Sequence, residues 1–148
     1  MMWLVLAALS SALMSVATAP TRIHSVESFG AVGDGHTNCT GAFRRACTAA
    51  AADRGTVLVP PGRFRTGAFN ISSGVTLDVQ AGAVVIGSAD RHEHPLVAPL
   101  PSYGGFRHPN DFRPQSLVMI VAGPDGAPCR DVRIVGGGVI DGNGSAHW

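Results

Sequence analysis

Between Arg133 and Gly144, two short apolar segments, Ile134-Val135 and Val139-Ile140, are separated by Gly136-Gly137-Gly138 and closed by Asp141-Gly142-Asn143-Gly144. Three consecutive glycines make a tight bend and leave no room for a helix, so the chain must run strand, bend, strand, turn. A polypeptide built on that plan adds one rung to a stacked, all-β structure. The same grammar holds from Thr56 onward, where short β-branched and apolar runs cover Thr56 to Val59, Ala68 to Ile71, Val75 to Val79, Ala83 to Ile86, Leu117 to Val121 and Val132 to Val135. Pro60-Pro61-Gly62, Ser72-Ser73-Gly74, Ala81-Gly82, Gly87-Ser88 and Gly123-Pro124-Asp125-Gly126 punctuate them. Closely spaced strands without intervening helices exclude a βαβ sheet and leave a sandwich, a barrel or a β-solenoid. Several runs are apolar at consecutive positions, which fits strands buried in a stack better than hairpins with one wet face.

Upstream, Val26 to Phe29 reads as a short strand running into Gly30-Ala31-Val32-Gly33-Asp34-Gly35, a sharp turn. One helix follows. Thr37 or Asn38 can cap its start, Ala42 or Phe43, Ala46 or Cys47, and Ala50 recur at helical spacing, and Gly55 is placed to end it in the left-handed conformation. The segment from Ser88 to Pro114 breaks the pattern with prolines, histidines, arginines and the aromatics Tyr103, Phe106 and Phe112. A stretch this long is more than a connection, and its aromatic and arginine content argues for a functional loop over simple disorder.

The apolar run from Met2 to Leu9, continued to Leu13-Met14 and followed by Ser15-Val16-Ala17-Thr18-Ala19, predicts a secretory signal peptide over residues 1–19. It is interrupted and shorter than the ~20 residues that span a bilayer as a helix, so no membrane association is expected. Residues 20–148 make one modest domain, short for a stacked-repeat architecture with several turns and two caps. Eleven basic residues, all arginine, face ten acidic ones, which leaves no broad electrostatic footprint for nucleic acid. The absence of lysine excludes Schiff-base chemistry, while the arginines remain free to pair bidentately with carboxylates. Cys39, Cys47 and Cys129 are odd in number, so one must find a partner elsewhere or stay free; Cys47 also suits a small buried position on the helix. Asn38-Cys39-Thr40, Asn70-Ile71-Ser72 and Asn143-Gly144-Ser145 fit the N-glycosylation pattern, with Asn38 and Asn70 the favoured acceptors because Asn143 lies in a tight turn.

Four stretches taken in order resemble the N-terminal part of plant-type polygalacturonases, the pectin-degrading family 28 glycoside hydrolases. They are Phe29 to Gly35 (Phe-Gly-Ala-Val-Gly-Asp-Gly), Val59 to Asn70 (Val-Pro-Pro-Gly-Arg-Phe-Arg-Thr-Gly-Ala-Phe-Asn), Pro99 to Gly104 (Pro-Leu-Pro-Ser-Tyr-Gly) and Gly138 to Gly144 (Gly-Val-Ile-Asp-Gly-Asn-Gly). The resemblance implies a right-handed single-stranded parallel β-helix of the pectin lyase-like kind, its first turn capped by a helix from Thr40 to Asp53. Residues 20–148 would then be the N-terminal portion of such a domain, truncated before its later turns. It further implies a secreted enzyme, extracellular or in the cell wall, that needs no cofactor. Such an enzyme hydrolyses α-1,4-galacturonosyl linkages of a pectic polysaccharide with inversion, and is expected to be a monomer when full length. A rhamnogalacturonan hydrolase, a pectate lyase-like enzyme using calcium, or a non-catalytic polysaccharide-binding β-helix are the alternatives on the same scaffold.

In that family the catalytic aspartates lie in an Asn-Thr-Asp segment and an Asp-Asp pair, with a Gly-His-Gly histidine and an Arg-Ile-Lys segment, and none of these motifs occurs here. Inversion requires two carboxyl groups roughly 6.5 to 9.5 Å apart, one protonated and one activating water. No convincing pair is offered: Asp78 sits in an apolar strand, and Asp34 and Asp141 in Asp-Gly turns can cap their own backbone. The expected catalytic set in this chain is therefore empty. His92 and His94 would share a side if extended, but lack a third ligand for a metal and are expected to be solvated. Tyr103, Arg107 and Arg113 are the candidate substrate contacts, since rings and guanidinium groups together suit an acidic sugar; the same aromatics could instead pin the loop to the β-helix wall.

Overall fold

A computed structural model describes residues 21–98, 112–122 and 126–147. The expected signal peptide, Tyr103 and Arg107 lie outside the described residues. Ten of the twelve strands among the described residues fall on three faces. The first carries β1 (Ile23–Ser25), β3 (Thr56–Val59), β6 (Thr76–Val79) and β11 (Arg133–Val135), side by side in that order. The second carries β2 (Asp34–Asn38), β4 (Gly62–Thr66), β7 (Ala83–Gly87) and β12 (Val139–Asp141), and the third β5 (Phe69–Ile71) and β10 (Val118–Ile120). All pairings on these faces are parallel. Chain order therefore visits face one, face two and face three, then returns one step higher, which is a parallel β-helix.

Register makes side-chain columns. Val57 stands against Leu77 and Leu77 against Ile134; Phe64 against Val85 and Val85 against Ile140; Phe69 against Val118 and Ile71 against Ile120. Alternate positions point inward, so Val57, Leu77, Phe64 and Val85 are all fully buried. At the far end the columns emerge, with Ile134 49%, Val139 53%, Ile140 39% and Ile120 54% exposed.

The opposite end is covered by α1 (Thr40–Asp53), the only α-helix among the described residues. Ala42, Phe43, Ala46, Cys47 and Ala50 form its buried stripe at three- and four-residue spacing. Small alanines let the helix lie close, and Phe43 projects between Phe69 and Phe64, with ring centroids 5.1 and 6.3 Å away. Neither expected cap residue takes the cap position: Cys39 occupies it without a side-chain cap bond, Asn38 just outside accepts the Thr40 amide through Oδ1 at 2.9 Å, and the Thr37 hydroxyl donates to Asp34. The helix ends one residue earlier than Gly55: Arg54 takes the left-handed conformation, φ 56°, and donates its amide to Ala50 O. Gly55 is instead required by crowding, since a Cβ there would stand 2.7 Å from Arg22 O.

The packing corrects one expectation and adds to two others. Val26 to Phe29 is a 3-10 turn following β1, because burying Val26 while Gly30 folds back (φ 92°) onto Glu27 O turns the chain instead of extending it. Gly62 to Thr66, between the expected runs Thr56 to Val59 and Ala68 to Ile71, is the full strand β4, alternating exposed Arg63 with buried Phe64 and Thr66. Asp34 begins a strand as well as a turn: its carboxylate accepts the Thr37 hydroxyl at 2.6 Å and the amides of Thr37 and His36 at 2.7 and 2.8 Å. Those donors, the Thr37 hydroxyl foremost, hold its pKa down from 3.8 to about 2. A depressed carboxylate stabilises the fold above its unfolded pKa and loses that contribution as pH falls through the folded value. Replacing Asp34 by Ala should thus lower the melting temperature clearly near neutrality, with the gap to the parent chain closing as pH falls from about 4 towards 2 in thermal melts.

Candidate functional site

The polar side chains that sequence spacing could not assemble meet where the long segment leaves and rejoins the β-helix. From β7, the chain turns through Asp90 and a 3-10 turn, Arg91–Glu93, then forms β8 (Leu96–Val97), antiparallel to β9 (Arg113–Pro114). Gly67 lets the main chain of Glu93 lie directly on β4's exit, since any Cβ at Gly67 would overlap Glu93 Cβ. Ala68 N donates to Glu93 O at 2.9 Å.

The Glu93 carboxylate is tucked inside, with 15% of its side chain exposed. Its Oε1 accepts from Asn38 Nδ2 at 2.5 Å, and Arg65 Nη1 stands 3.5 Å from Oε2, an ion pair without hydrogen-bond alignment. Arg65 also donates from Nη1 to Ser88 Oγ (2.8 Å) and from Nε to His36 O (3.0 Å). This knot draws on β2, β4 and the outgoing segment, with partners up to 55 positions apart, so no local motif announces it. Its one sequence trace is the charged outward position Arg65 on an alternating strand.

Alongside, a cleft of about 390 Å³ between α1 and the returning segment is lined by Arg44, Thr48, Asn70, Pro95 and Gln115. Arg44 is anchored by donating Nε and Nη2 to Ala68 O at 3.0 and 2.8 Å, and Gln115 Nε2 donates to Asn70 Oδ1 at 2.5 Å. Of the candidate substrate contacts, Arg113 is described: it is exposed on β9 opposite Val97. Both candidate glycosylation acceptors are exposed: Asn70 on β5 accepts from Gln115 through Oδ1, whereas the Asn38 amide is engaged on both sides, Nδ2 to Glu93 and Oδ1 to Thr40 N, and Thr40 Oγ1 of the same triplet accepts from Gly67 N. His92 is exposed in the 3-10 turn, but His94 is half-buried with both ring nitrogens at main-chain carbonyls, contrary to the solvated state expected for both.

The carboxylates serve local structure. Asp141 Oδ1 accepts from Asn143 N at 2.8 Å, as its Asp-Gly turn suggested; Asp53 accepts from His24, Asp131 pairs with Arg54 at 2.9 Å, and Asp90 caps His92 N. Asp78 stays half-buried in β6, beside the Gly136 bend.

Among the described residues all three cysteines are free. Burial pushes the Cys47 thiol up to about 12 and also raises that of Cys39, while Cys129, half-buried, accepts from Ser73 Oγ at 3.6 Å. The thiolate is the nucleophile. Iodoacetamide at mildly alkaline pH should therefore label Cys129 in the folded chain, and Cys39 and Cys47 only after denaturant; peptide mapping by mass spectrometry reads the order.

No protein-family model matches the chain. Among curated proteins it is 38% identical over 134 residues to a Vitis vinifera protein named "Probable polygalacturonase", covering 86% of this chain and 26% of that one. It is 32% identical over 137 residues to the exo-poly-alpha-D-galacturonosidase of Dickeya chrysanthemi, covering 91% of this chain and 22% of that one. The chain thus spans about a quarter of the length of the curated relatives it matches. Among solved structures, the family 28 exopolygalacturonase of Yersinia enterocolitica superposes with a TM-score of 0.72 at 34% identity, over 84% of this chain and 21% of that one. A plant relative and two bacterial ones at comparable identity do not single out the plant branch. Stacked parallel rungs under one helix match the right-handed β-helix of these enzymes, and with the sequence likeness they support this chain as a stretch of a family 28 polygalacturonase.

Proposed function

We propose that these rungs serve a secreted pectin-degrading glycoside hydrolase that cleaves α-1,4-galacturonosyl linkages with inversion, outside the cell or in its wall. The observation that supports this most is the coincidence of 38% identity to a protein named "Probable polygalacturonase" with a TM-score of 0.72 to a solved exopolygalacturonase. Their role in the reaction is support: the described carboxylates with assigned contacts hold turns and ion pairs, so the inverting pair belongs elsewhere on the scaffold. The excursion beginning at Ser88 is offered as a wall of the substrate cleft, with Tyr103, Arg107 and Arg113 receiving galacturonate carboxylates and ring faces. We assign any N-glycan to Asn70 in preference to Asn38, whose amide is engaged on both sides.

A chimera tests the reading. Residues 21–147 replace the matching stretch of the Yersinia enterocolitica exopolygalacturonase, and the folded product is assayed on polygalacturonate. Saturated galacturonate products with inverted anomeric configuration, seen by NMR of fresh digests, are expected. A folded chimera with no activity on polygalacturonate overturns the proposal.

A further inference from the structure

Arg44, Thr48, Ala51 and Ala52 follow one another at helical spacing along one flank of α1, and on that flank two clefts adjoin at Thr48. The first, of about 390 Å³, has Arg44, Asn70 and Gln115 in its wall; the second, of about 660 Å³, has Arg54, Ser72, Ser73 and Arg130. Clefts of ~300–1,000 Å³ are the size that takes small ligands.

A guanidinium carries five N–H groups. Arg44 gives Nε and one Nη2 hydrogen to Ala68 O, which fixes its plane and leaves three for a ligand. Gln115, only 8% exposed, is held by donating Nε2 to Asn70 Oδ1 at 2.5 Å, and among the described residues nothing engages Gln115 Oε1 or Asn70 Nδ2. In the second cleft Arg54 pairs with Asp131 at 2.9 Å, while the exposed Arg130 has no side-chain partner among the described residues. Asp131 is the one described carboxylate lining either cleft, and Arg54 already neutralises it.

Two guanidinium groups with amides and a hydroxyl between them match a ligand that repeats carboxylates and hydroxyl groups. No exposed aromatic ring lines either cleft among the described residues, Phe69 being 1% exposed, so nucleic-acid bases would find no stacking platform. We propose that this groove is a non-catalytic binding site for an acidic oligosaccharide, Arg44 and Arg130 taking carboxylates of separate sugar units and Asn70, Gln115 and Ser72 their hydroxyls. Naming galacturonate as the unit rests on the pectin reading; the anionic, polyhydroxylated character of the ligand rests on the groove alone.

The test uses the whole 148-residue chain, labelled with 15N and made in a bacterial host so that Asn70 carries no glycan. It is titrated with tetragalacturonate, with the fully methyl-esterified tetramer, and with inorganic phosphate at matched ionic strength. Tetragalacturonate should shift the amides of Thr48, Asn70, Gln115 and Asp131, less so as salt rises, and the ester and phosphate should do little. Arg130→Gln, whose side chain holds no other described residue, and Arg44→Gln should each raise Kd roughly five- to tenfold, a charge-assisted hydrogen bond partly screened by water. Equal shifts with phosphate mean an adventitious ion only and overturn the proposal, as do absent groove shifts at millimolar tetragalacturonate or a Kd unmoved in both variants. Should the isolated chain fail to fold, retardation of the folded chimera in polygalacturonate gels, corrected for its mobility in plain gels, decides: Arg130→Gln should be retarded less than its parent, and equal retardation overturns the groove. Hydrolysis is read separately. An active chimera without groove binding sinks the groove alone, and groove binding beside an inactive chimera sinks the hydrolase reading alone.

Discussion

Phe43→Ala is expected to cost about 3–5 kcal/mol in urea or thermal unfolding, the range for emptying a buried aromatic site. Phe43 is fully buried and is the one side chain of α1 whose ring meets both Phe64 of β4 and Phe69 of β5. Removing it leaves a cavity at the joint of the helix and two faces of the stack, where neither the helix nor the strands can collapse without breaking register. A domain of this size has about 5–15 kcal/mol to lose, so the helix should detach before the rungs do. Loss of amide protection in Thr40–Asp53 at denaturant concentrations where Val57 and Leu77 remain protected would show it. Phe43→Leu, which keeps most of the volume, should cost less than about 2 kcal/mol.

Gly136→Ala is the second large effect, and it arises from backbone instead of core. Gly136 turns the chain from β11 towards β12 at φ 108°, where a side chain is strained by about 1–3 kcal/mol. A Cβ there would also overlap the carbonyl of Val79 on the rung beneath, and neither backbone can step aside because Gly138 N holds that same oxygen at 2.9 Å. The alanine variant should melt the β11–β12 rung while leaving β3, β4, β6 and β7 intact, visible as selective loss of amide protection at Ile134 and Ile140. Gly137→Ala next door is the control: its Cβ would meet Ala81 at an ordinary 3.5 Å, so little change is expected.

Much of the architecture was written locally, and what was not has identifiable causes. Thr56–Val59 is a strand with the bounds expected, because its alternation is uninterrupted and both ends carry turn residues. The stacking showed in consecutive apolar residues such as Ala83-Val84-Val85-Ile86 and in the glycine bend at Gly136 to Gly138, while the parallel pairing came only with the family resemblance. Strand β4 was hidden by Pro60-Pro61-Gly62 in front of it and by two arginines, although Phe64 and Thr66 kept period two. Val26 to Phe29 has strand composition yet turns, since burial of Val26 under α1 outweighs β-propensity. The knot of Asn38, Arg65, Ser88 and Glu93, and the placing of His94, exist only once three rungs are stacked; no spacing in the chain encodes them.

Among the described residues, the carboxylates with assigned contacts hold turns and ion pairs, and none is expected to form an inverting pair. The most direct test is a reducing-end assay of the purified 148-residue chain on polygalacturonate, run against buffer and beside the active chimera. The chain is predicted to release no reducing ends above the blank while the chimera does. Steady release by the isolated chain, abolished by heat and by replacing Asp34, Asp78 or Asp141, would contradict it.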